Sequence, residues 1–444
     1  MNKYDSYKDS GVEWIGAIPK SWSLKRIKHT TYVKGRIGWK GLRSDEFRKE
    51  SDSIAVTGTD FKNGKIDWEN CYQISRDRYD EDPYIQLKED DLLITKDGTI
   101  GKIALVEDMP KVATLNSGIF VTRPLNIEYS NKFLYWVLVS DIFSAFYDFN
   151  KSGSTIQHLY QYVFDEFNFP LPSKEEQTAI TTYLNQKTTE IDNLVIKKES
   201  LIKLLEEEQT AVINQAVTKG LNAEVPMKNS GVKWLGEIPK HWEMNRIGFI
   251  TNKIGDGLHG TPAYVEKSSF PFINGNNLYK GGIRITDKTK FVSEKEYMSN
   301  NRGLDKNTLL ISLNGTIGNL AFYNTEKVML SKSVGYLKLI NSINKYYVYY
   351  FLKSKSASDF INLQLSGSTI NNLSLYSLNK FPIPFPSEKE QIDIVNFIFR
   401  ENQRSDKIIM KVDKEIKLLK EYKTALISEV VTGKIDVREE VMVN

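Results

Sequence analysis

Gly255-Asp256-Gly257-Leu258-His259-Gly260 has the G-x-G-x-x-G spacing of a dinucleotide-binding turn, and Gly98-Thr99-Ile100-Gly101-Lys102 has part of a phosphate loop. Either chemistry needs more around it. A dinucleotide turn must open a helix whose N-terminus faces the phosphates, and Pro262 followed by the polar Glu266-Lys267-Ser268-Ser269 predicts no helix there. A phosphate loop needs four residues between its first glycine and Gly-Lys, and then a Ser or Thr. The stretch at Gly98 has neither, and it reads as a hairpin turn. Asp82-Pro83-Tyr84 lacks the second proline of the Asp-Pro-Pro-Tyr pattern used by amino-methylating enzymes and reads as a turn before a strand. His29, His158, His241 and His259 are scattered, with no pair at helical metal-ligand spacing. Cys71 stands alone, which excludes an internal disulfide framework and cysteine-rich zinc sites and fits a reducing compartment. These residues predict no catalytic group and no cofactor or metal held by the chain itself.

Electrostatics and hydrogen-bonding side chains remain. Between Ser21 and Ser44 stand Lys25, Arg26, Lys28, Lys34, Arg36, Lys40 and Arg43 without one acid, with Trp39 among them. Such a stretch suits a phosphate backbone, or is an ordinary solvated face. Further along, His259, Thr261, Asn274, Asn276 and Asn277 are able to read base edges. Asn pairs bidentately with adenine and Arg with guanine in the major groove, although Asn clusters also make turns. Two short motifs occur twice. Lys96-Asp97-Gly98-Thr99-Ile100-Gly101, with Lys102 after it, answers Leu313-Asn314-Gly315-Thr316-Ile317-Gly318. Ser152-Gly153-Ser154-Thr155-Ile156, between Lys151 and His158, answers Ser366-Gly367-Ser368-Thr369-Ile370, followed by Asn371. Being alike, these motifs cannot give the two copies different base preferences. They are a shared scaffold, or contacts from Thr99, Ser154, Thr316 and Ser368 to phosphate, which position without specifying. The readers are expected where the copies differ, at 34–43 against 253–264 and at 61–80 against 274–300.

The elements that must hold these residues follow from the repeat. SGVEWIGAIPKSW at Ser10 returns as SGVKWLGEIPKHW at Ser230, and KLLEEEQTAVI at Lys203 returns as KLLKEYKTALI at Lys417. The offset is 220 at the front of each copy, 217 at Gly98 and 214 from Gly153 on, so loops vary in the front part while the back part keeps its length. The back part is helical. Ser173-Lys174-Glu175-Glu176 and Ser387-Glu388-Lys389-Glu390 are capping boxes after proline-rich runs. Ile180, Leu184, Ile191, Leu194, Leu201, Leu205 and Val212 then follow a 4-3 spacing, echoed by Ile394, Ile398, Ile408, Val412, Leu419 and Leu426. Each helix is expected to end near Gly220 or Gly433 and to bury its stripe against the other, with Lys187 and Lys198 on one seam facing Glu401 and Glu415 on its partner. In the front parts, strands flank the turn at Gly98, and Asn131–Asn150 and Asn344–Gln364 are predicted helices. The four Trp of the repeated opening phrase, Trp14, Trp22, Trp234 and Trp242, are expected to pin it to each domain core.

The 444 residues are 40% hydrophobic, enough for several cores, and Lys and Arg (60) exceed Asp and Glu (56) by little, so any basic footprint is local. No charged and apolar leader follows Met1 and no run of about 18 apolar residues occurs, so a cytoplasmic protein without a membrane partner is expected. The fold class predicted is α+β. It comprises two homologous α+β domains separated and followed by two long helices that form an antiparallel, pseudo-twofold coiled coil. The divisions are 1–165 and 221–380 for the domains and 166–220 and 381–444 for the helices.

Taken in order, these parts resemble the specificity subunit of a Type I restriction–modification system. Two α+β domains alternate with two long helices, each preceded by Gly-Ser-Thr-Ile and opened by prolines and Glu-Gln (Glu176-Gln177, Glu390-Gln391). Asp256-Gly257-Leu258-His259-Gly260-Thr261-Pro262 is similar to a segment recurrent in target-recognition domains of that family, whereas the first copy has Lys34-Gly35-Arg36-Ile37-Gly38-Trp39-Lys40 and departs from it. The resemblance implies a non-catalytic chain that recognises an interrupted, bipartite site in double-stranded DNA. It implies two methyltransferase subunits and restriction/translocase subunits as partners, and S-adenosylmethionine, ATP and Mg bound in those partners. A tandem-domain binding scaffold unrelated to restriction explains the repeat too, but not the acid-free basic stretch.

Overall fold

The computed structural model describes residues 2–36, 42–150, 158–365 and 372–440. The chain forms two compact units, one of residues up to Lys198 together with those from Lys414 on, the other Glu199–Asp413. Both boundaries fall inside the long helices, Lys174–Lys219 and Glu388–Val431.

In the first unit a six-stranded sheet runs in the order Thr31–Gly35, Ile119–Pro124, Leu92–Thr95, Ile103–Leu105, Lys65–Ile66, Phe61–Lys62. A three-stranded sheet joins Val112–Leu115, Ser53–Val56 and Tyr72–Ile74 beside it. Every residue of Leu92–Thr95 and of Ser53–Val56 is buried, so these strands carry core on both faces and read as short continuous apolar runs. In the second unit one four-stranded sheet orders Thr251–Asp256, Val334–Leu339, Thr308–Ser312 and Leu320–Phe322. The other orders Tyr264–Val265, Lys290–Val292, Pro271–Ile273 and Met329–Leu330. The expected strands around Gly98 are present: Leu92–Thr95 pairs antiparallel with Ile103–Leu105, as Thr308–Ser312 does with Leu320–Phe322.

The helices expected over 131–150 and 344–364 are each broken in two. Ser140 and Ser354 take extended backbone between Asn131–Val139 and Asp141–Asn150, and between Lys345–Lys353 and Lys355–Leu365. Serine competes with the helix for backbone hydrogen bonds and caps the next one. Ser140 Oγ donates to Val137 O (2.6 Å), and Ala357 N donates to Ser354 Oγ (3.2 Å).

The long helices start and stop where their caps predict. Ser173 Oγ accepts from Glu176 N (3.3 Å), Glu176 Oε2 accepts from Ser173 N (3.1 Å), and Ser387 Oγ accepts from Glu390 N (3.3 Å). In both units the helix segments pack antiparallel. In the first, Lys423 Nζ meets Asp192 (2.6 Å) and Lys198 pairs with Glu415. In the second, Gln209 Nε2 donates to Asp406 Oδ1 (2.8 Å), and Ile213 and Val217 share a core with Ile394 and Ile398. The seam departs from a strict 4-3 repeat. Ile180, Leu184, Thr188, Ile191 and Val195 are buried, a 4-4-3-4 spacing that suits helices of 3.6 residues per turn, while Leu194 and Leu201 are about 40% exposed and Ile408 is also outward. Of the four charged seam residues, Lys198 and Glu415 meet across the helices, whereas Lys187 pairs with Glu190 and Glu401 with Arg404 on their own helices.

The repeated opening phrase docks on a helix start and a helix end. Trp22 and Trp242 are fully buried, and their indole Nε1 atoms donate to Glu176 Oε1 (3.1 Å) and Glu390 Oε1 (2.9 Å). Trp14 packs on Phe146 and Phe149, and Trp234 on Phe360 and Phe381. Trp22 lies against Gly433, where an added Cβ would stand 3.0 Å from it, and Trp242 lies against Gly220, where the distance would be 3.2 Å. Among the described residues no helix is long and apolar enough to cross a membrane.

Candidate nucleic-acid interface

In each unit the chain just after the second repeated motif runs beside the first. Leu159 N donates to Lys96 O (2.8 Å) and Leu373 N to Leu313 O (2.8 Å), which seats the residues after Gly-Ser-Thr-Ile beside the turn at Gly98 or Gly315. Both turns have their first glycine at positive φ, 67° and 69°. A hydroxyl threads each turn: Thr95 Oγ1 donates to Thr99 O (2.6 Å) and accepts from Lys102 N (2.9 Å), while Ser312 Oγ bonds Thr316 O and accepts from Asn319 N (2.9 Å). The flanking side chains then differ. Asp97 is paired with His158 in the first unit, and Asn314 bridges Asn372 in the second. Thr99 and Thr316 are exposed on top.

A second turn stacks against the first. Asn274 caps Gly275–Asn277: its Oδ1 accepts from Asn276 N (2.9 Å), and its own N donates to Asn277 Oδ1 (2.9 Å). A Cβ on Gly275 would stand 2.8 Å from Ser312 Cβ, so only glycine allows this approach. Asn276 Oδ1 accepts from Thr316 Oγ1 (3.3 Å). Next to it, Gly275 N donates to Ser333 Oγ (3.1 Å), and Leu258, which precedes His259, bridges Ser331. Asn274, Asn276, Thr316, His259 and Thr261 thus belong to loops that follow strands of the two four-stranded sheets, all exposed. His259 is paired with Asp256 (2.8 Å).

Two residues expected to read bases do not face outward. Asn277 is 5% exposed, and its Nδ2 donates to Arg284 O (2.8 Å) and Thr289 Oγ1 (3.0 Å), so its carboxamide holds the turn together. Arg36 is 1% exposed, with Nε donating to Leu115 O (2.7 Å) and Nη2 to Thr114 Oγ1 (3.3 Å). It ties the edge strand to the smaller sheet. Arg26 is spent on Glu166 (2.9 Å) in the two-stranded sheet at the foot of the first long helix, as Lys25 is on Glu128 (2.9 Å). Lys34, Arg43 and Lys102 are exposed, and Lys96 lies over the Phe120 ring at 5.0 Å. Lys40, Lys151, Ser154, Ser368 and Asn371 lie outside the described residues.

Sequence reasoning missed two features. Thr57-Gly58-Thr59-Asp60 is the first unit's copy of the asparagine turn, and the 217-residue offset relating Gly98 to Gly315 also relates Thr57 to Asn274. The other is an exposed aromatic pair, Tyr160 stacked on Tyr162 with ring centroids 5.4 Å apart, beside Gln161, whose Nε2 donates to Val33 O (3.2 Å) next to Lys34. Among the described residues no group of three His, Cys, Asp or Glu could hold a metal ion.

Known proteins resemble the chain in sequence and in fold. The family described as Type I restriction modification DNA specificity domain matches residues 40–203 and again 239–418. The Type I restriction enzyme MjaIX specificity subunit of Methanocaldococcus jannaschii is 25% identical over 446 residues, 96% of each chain. The EcoBI specificity subunit of Escherichia coli is 20% identical over 78% of this chain and 74% of its own. A solved chain of a type I R-M system superimposes with a TM-score of 0.69 at 16% identity, covering 94% of this chain and 99% of that one. The HsdS subunit from Thermoanaerobacter tengcongensis does so with 0.55 at 15% identity, covering 94% and 98%.

Proposed function

The chain belongs to the Type I restriction–modification DNA specificity family, whose two matches span most of its length, and from that premise we propose that it reads an interrupted, bipartite duplex target, one half with each unit. The observation that carries this reading is one scaffold built twice, with equal backbone at the paired turns and unequal exposed side chains on them. Equal parts hold the duplex and unequal parts select bases. The chain contributes no catalytic group. Two methyltransferase subunits supply S-adenosylmethionine chemistry on adenine, and restriction/translocase subunits supply ATP- and Mg-dependent cleavage. Its place of work is the cytoplasm, where that DNA is met.

Mapping methylated adenines genome-wide in cells with and without the chain tests this. Loss of methylation at one interrupted sequence is expected, and purified complex should bind that duplex with an affinity that falls steeply as salt rises. An unchanged methylation map on deletion would reject the reading.

A further inference from the structure

The two stacked turns differ in a way that isolates one variable. Thr57-Gly58-Thr59-Asp60 and Asn274-Gly275-Asn276-Asn277 share two internal bonds. Thr57 N donates to Asp60 Oδ2 (2.7 Å) as Asn274 N does to Asn277 Oδ1 (2.9 Å). Asp60 N donates to Thr57 O (3.1 Å) as Asn277 N does to Asn274 O (2.9 Å). Each glycine presses on the strand residue that threads the neighbouring turn, with an added Cβ 2.9 Å from Thr95 Cγ2 or 2.8 Å from Ser312 Cβ. The fourth residue is buried in both, 5% exposed, and works as scaffold. The third residue is exposed in both and differs: Thr59 carries one hydroxyl and a methyl, Asn276 a carboxamide. Asn276 Nδ2 has no partner among the described residues, while Thr59 Oγ1 shares a bond with Thr57 Oγ1 (2.7 Å).

We propose that positions 59 and 276 are equivalent specificity-determining positions, one in each unit, and that Asn276 selects an adenine in the half-sequence read by the second unit. This rests on the DNA-reading function proposed above. A carboxamide matches adenine N6 and N7 with one donor and one acceptor, whereas a hydroxyl and methyl make at most one bond or a contact with a thymine methyl. Because the same two bonds and the same glycine contact hold each turn beneath, exchanging the third residue exchanges the contact without moving its support.

The test uses the full-length chain in its complex, with methylated adenines mapped across the genome for Asn276→Thr and Thr59→Asn. Asn276→Thr is expected to lower discrimination for adenine roughly tenfold or more at one position of one half-sequence. Thr59→Asn should raise adenine preference at one position of the other half-sequence, each leaving the opposite half unaltered. If a variant melts below the parent chain, Asn276→Asp and Thr59→Val replace it. The first keeps size but loses both N–H donors and should show the same loss. Both half-sequences unchanged at parental methylation would overturn the proposal. So would uniform loss of methylation by a chain that melts like the parent, since the side chains would then grip and not read. Failure of the function itself shows differently, as a methylation map that does not change when the whole chain is deleted.

Discussion

At the scale of single residues, charge counted along a sequence and charge presented on a surface are different quantities. Lys34 and Arg36 are two residues apart, yet Lys34, in the edge strand Thr31–Gly35, is exposed, whereas Arg36, just past the end of that strand, is buried. Burial pushes the Arg36 guanidinium below its usual range, with Arg78 nearby acting in the same sense. Its bonds to Leu115 O and Thr114 Oγ1 are therefore what keep it inside. Arg36→Ala should leave a buried carbonyl unsatisfied and cost about 1–3 kcal/mol, read as an earlier denaturant midpoint, while the methylated half-sequences stay the same. A change of base preference without loss of stability would contradict this placement. Lys25 and Arg26 teach a related lesson, because their acids, Glu128 and Glu166, come from more than a hundred residues away. An acid-free window of sequence is not an acid-free surface.

At the scale of elements, the Glu-Gln pair that opens each long helix joins three pieces. Glu176 closes the capping box on Ser173 and receives Trp22 Nε1. Gln177 Oε1 accepts from Ser130 N (3.1 Å), and its Nε2 donates to Pro172 O (3.1 Å) and Glu128 O (2.9 Å), tying the helix start to the cap of Asn131–Val139. Gln391 repeats this with Asn344 N (3.3 Å) and Pro386 O (3.1 Å). The motif's presence was legible from its capping spacing, but its partners were not, since they are fixed by packing. Glu176→Ala removes a cap and leaves a buried indole N–H without an acceptor, so a loss of roughly 2–3 kcal/mol is expected in the transition of the first unit. Glu176→Gln, which keeps an acceptor, should lose less. Calorimetry of the two variants checks the order, and equal melting of both would show that the indole bond contributes nothing. The helix seam shows the same limit. Its apolar stripe is plain in sequence, but Thr188 and Val195 displace Leu194 from it because the buried line follows the true helical period.

At the scale of the whole molecule, the two long helices pack antiparallel within each unit, so any change of length must be made in both. Seven residues added after Lys198 and seven after Asp413 keep each seam in phase and lengthen the pair by about 10 Å. On the bipartite reading, methylated sites should keep both half-sequences and gain roughly three spacer base pairs at ~3.4 Å each. An unchanged spacer would count against the helices as the measure of separation, and seven residues in one helix alone should disrupt packing. What this sequence determined by itself is local or repeated: the two copies, the helix ends at their serine caps and glycines, the hairpin turns and the strands around them. Each depends on residues within a few positions of one another, or on self-comparison. The tertiary structure alone decided which polar residues reach the surface, with Asn276 out and Asn277 in, and Lys34 out and Arg36 in. It also supplied the contacts that the antiparallel pairing brings about at each helix end. Trp22 packs on Gly433 and not on Gly220, because each compact unit takes the start of one long helix and the end of the other. That contact joins residues some four hundred positions apart, and no periodicity along the chain encodes it.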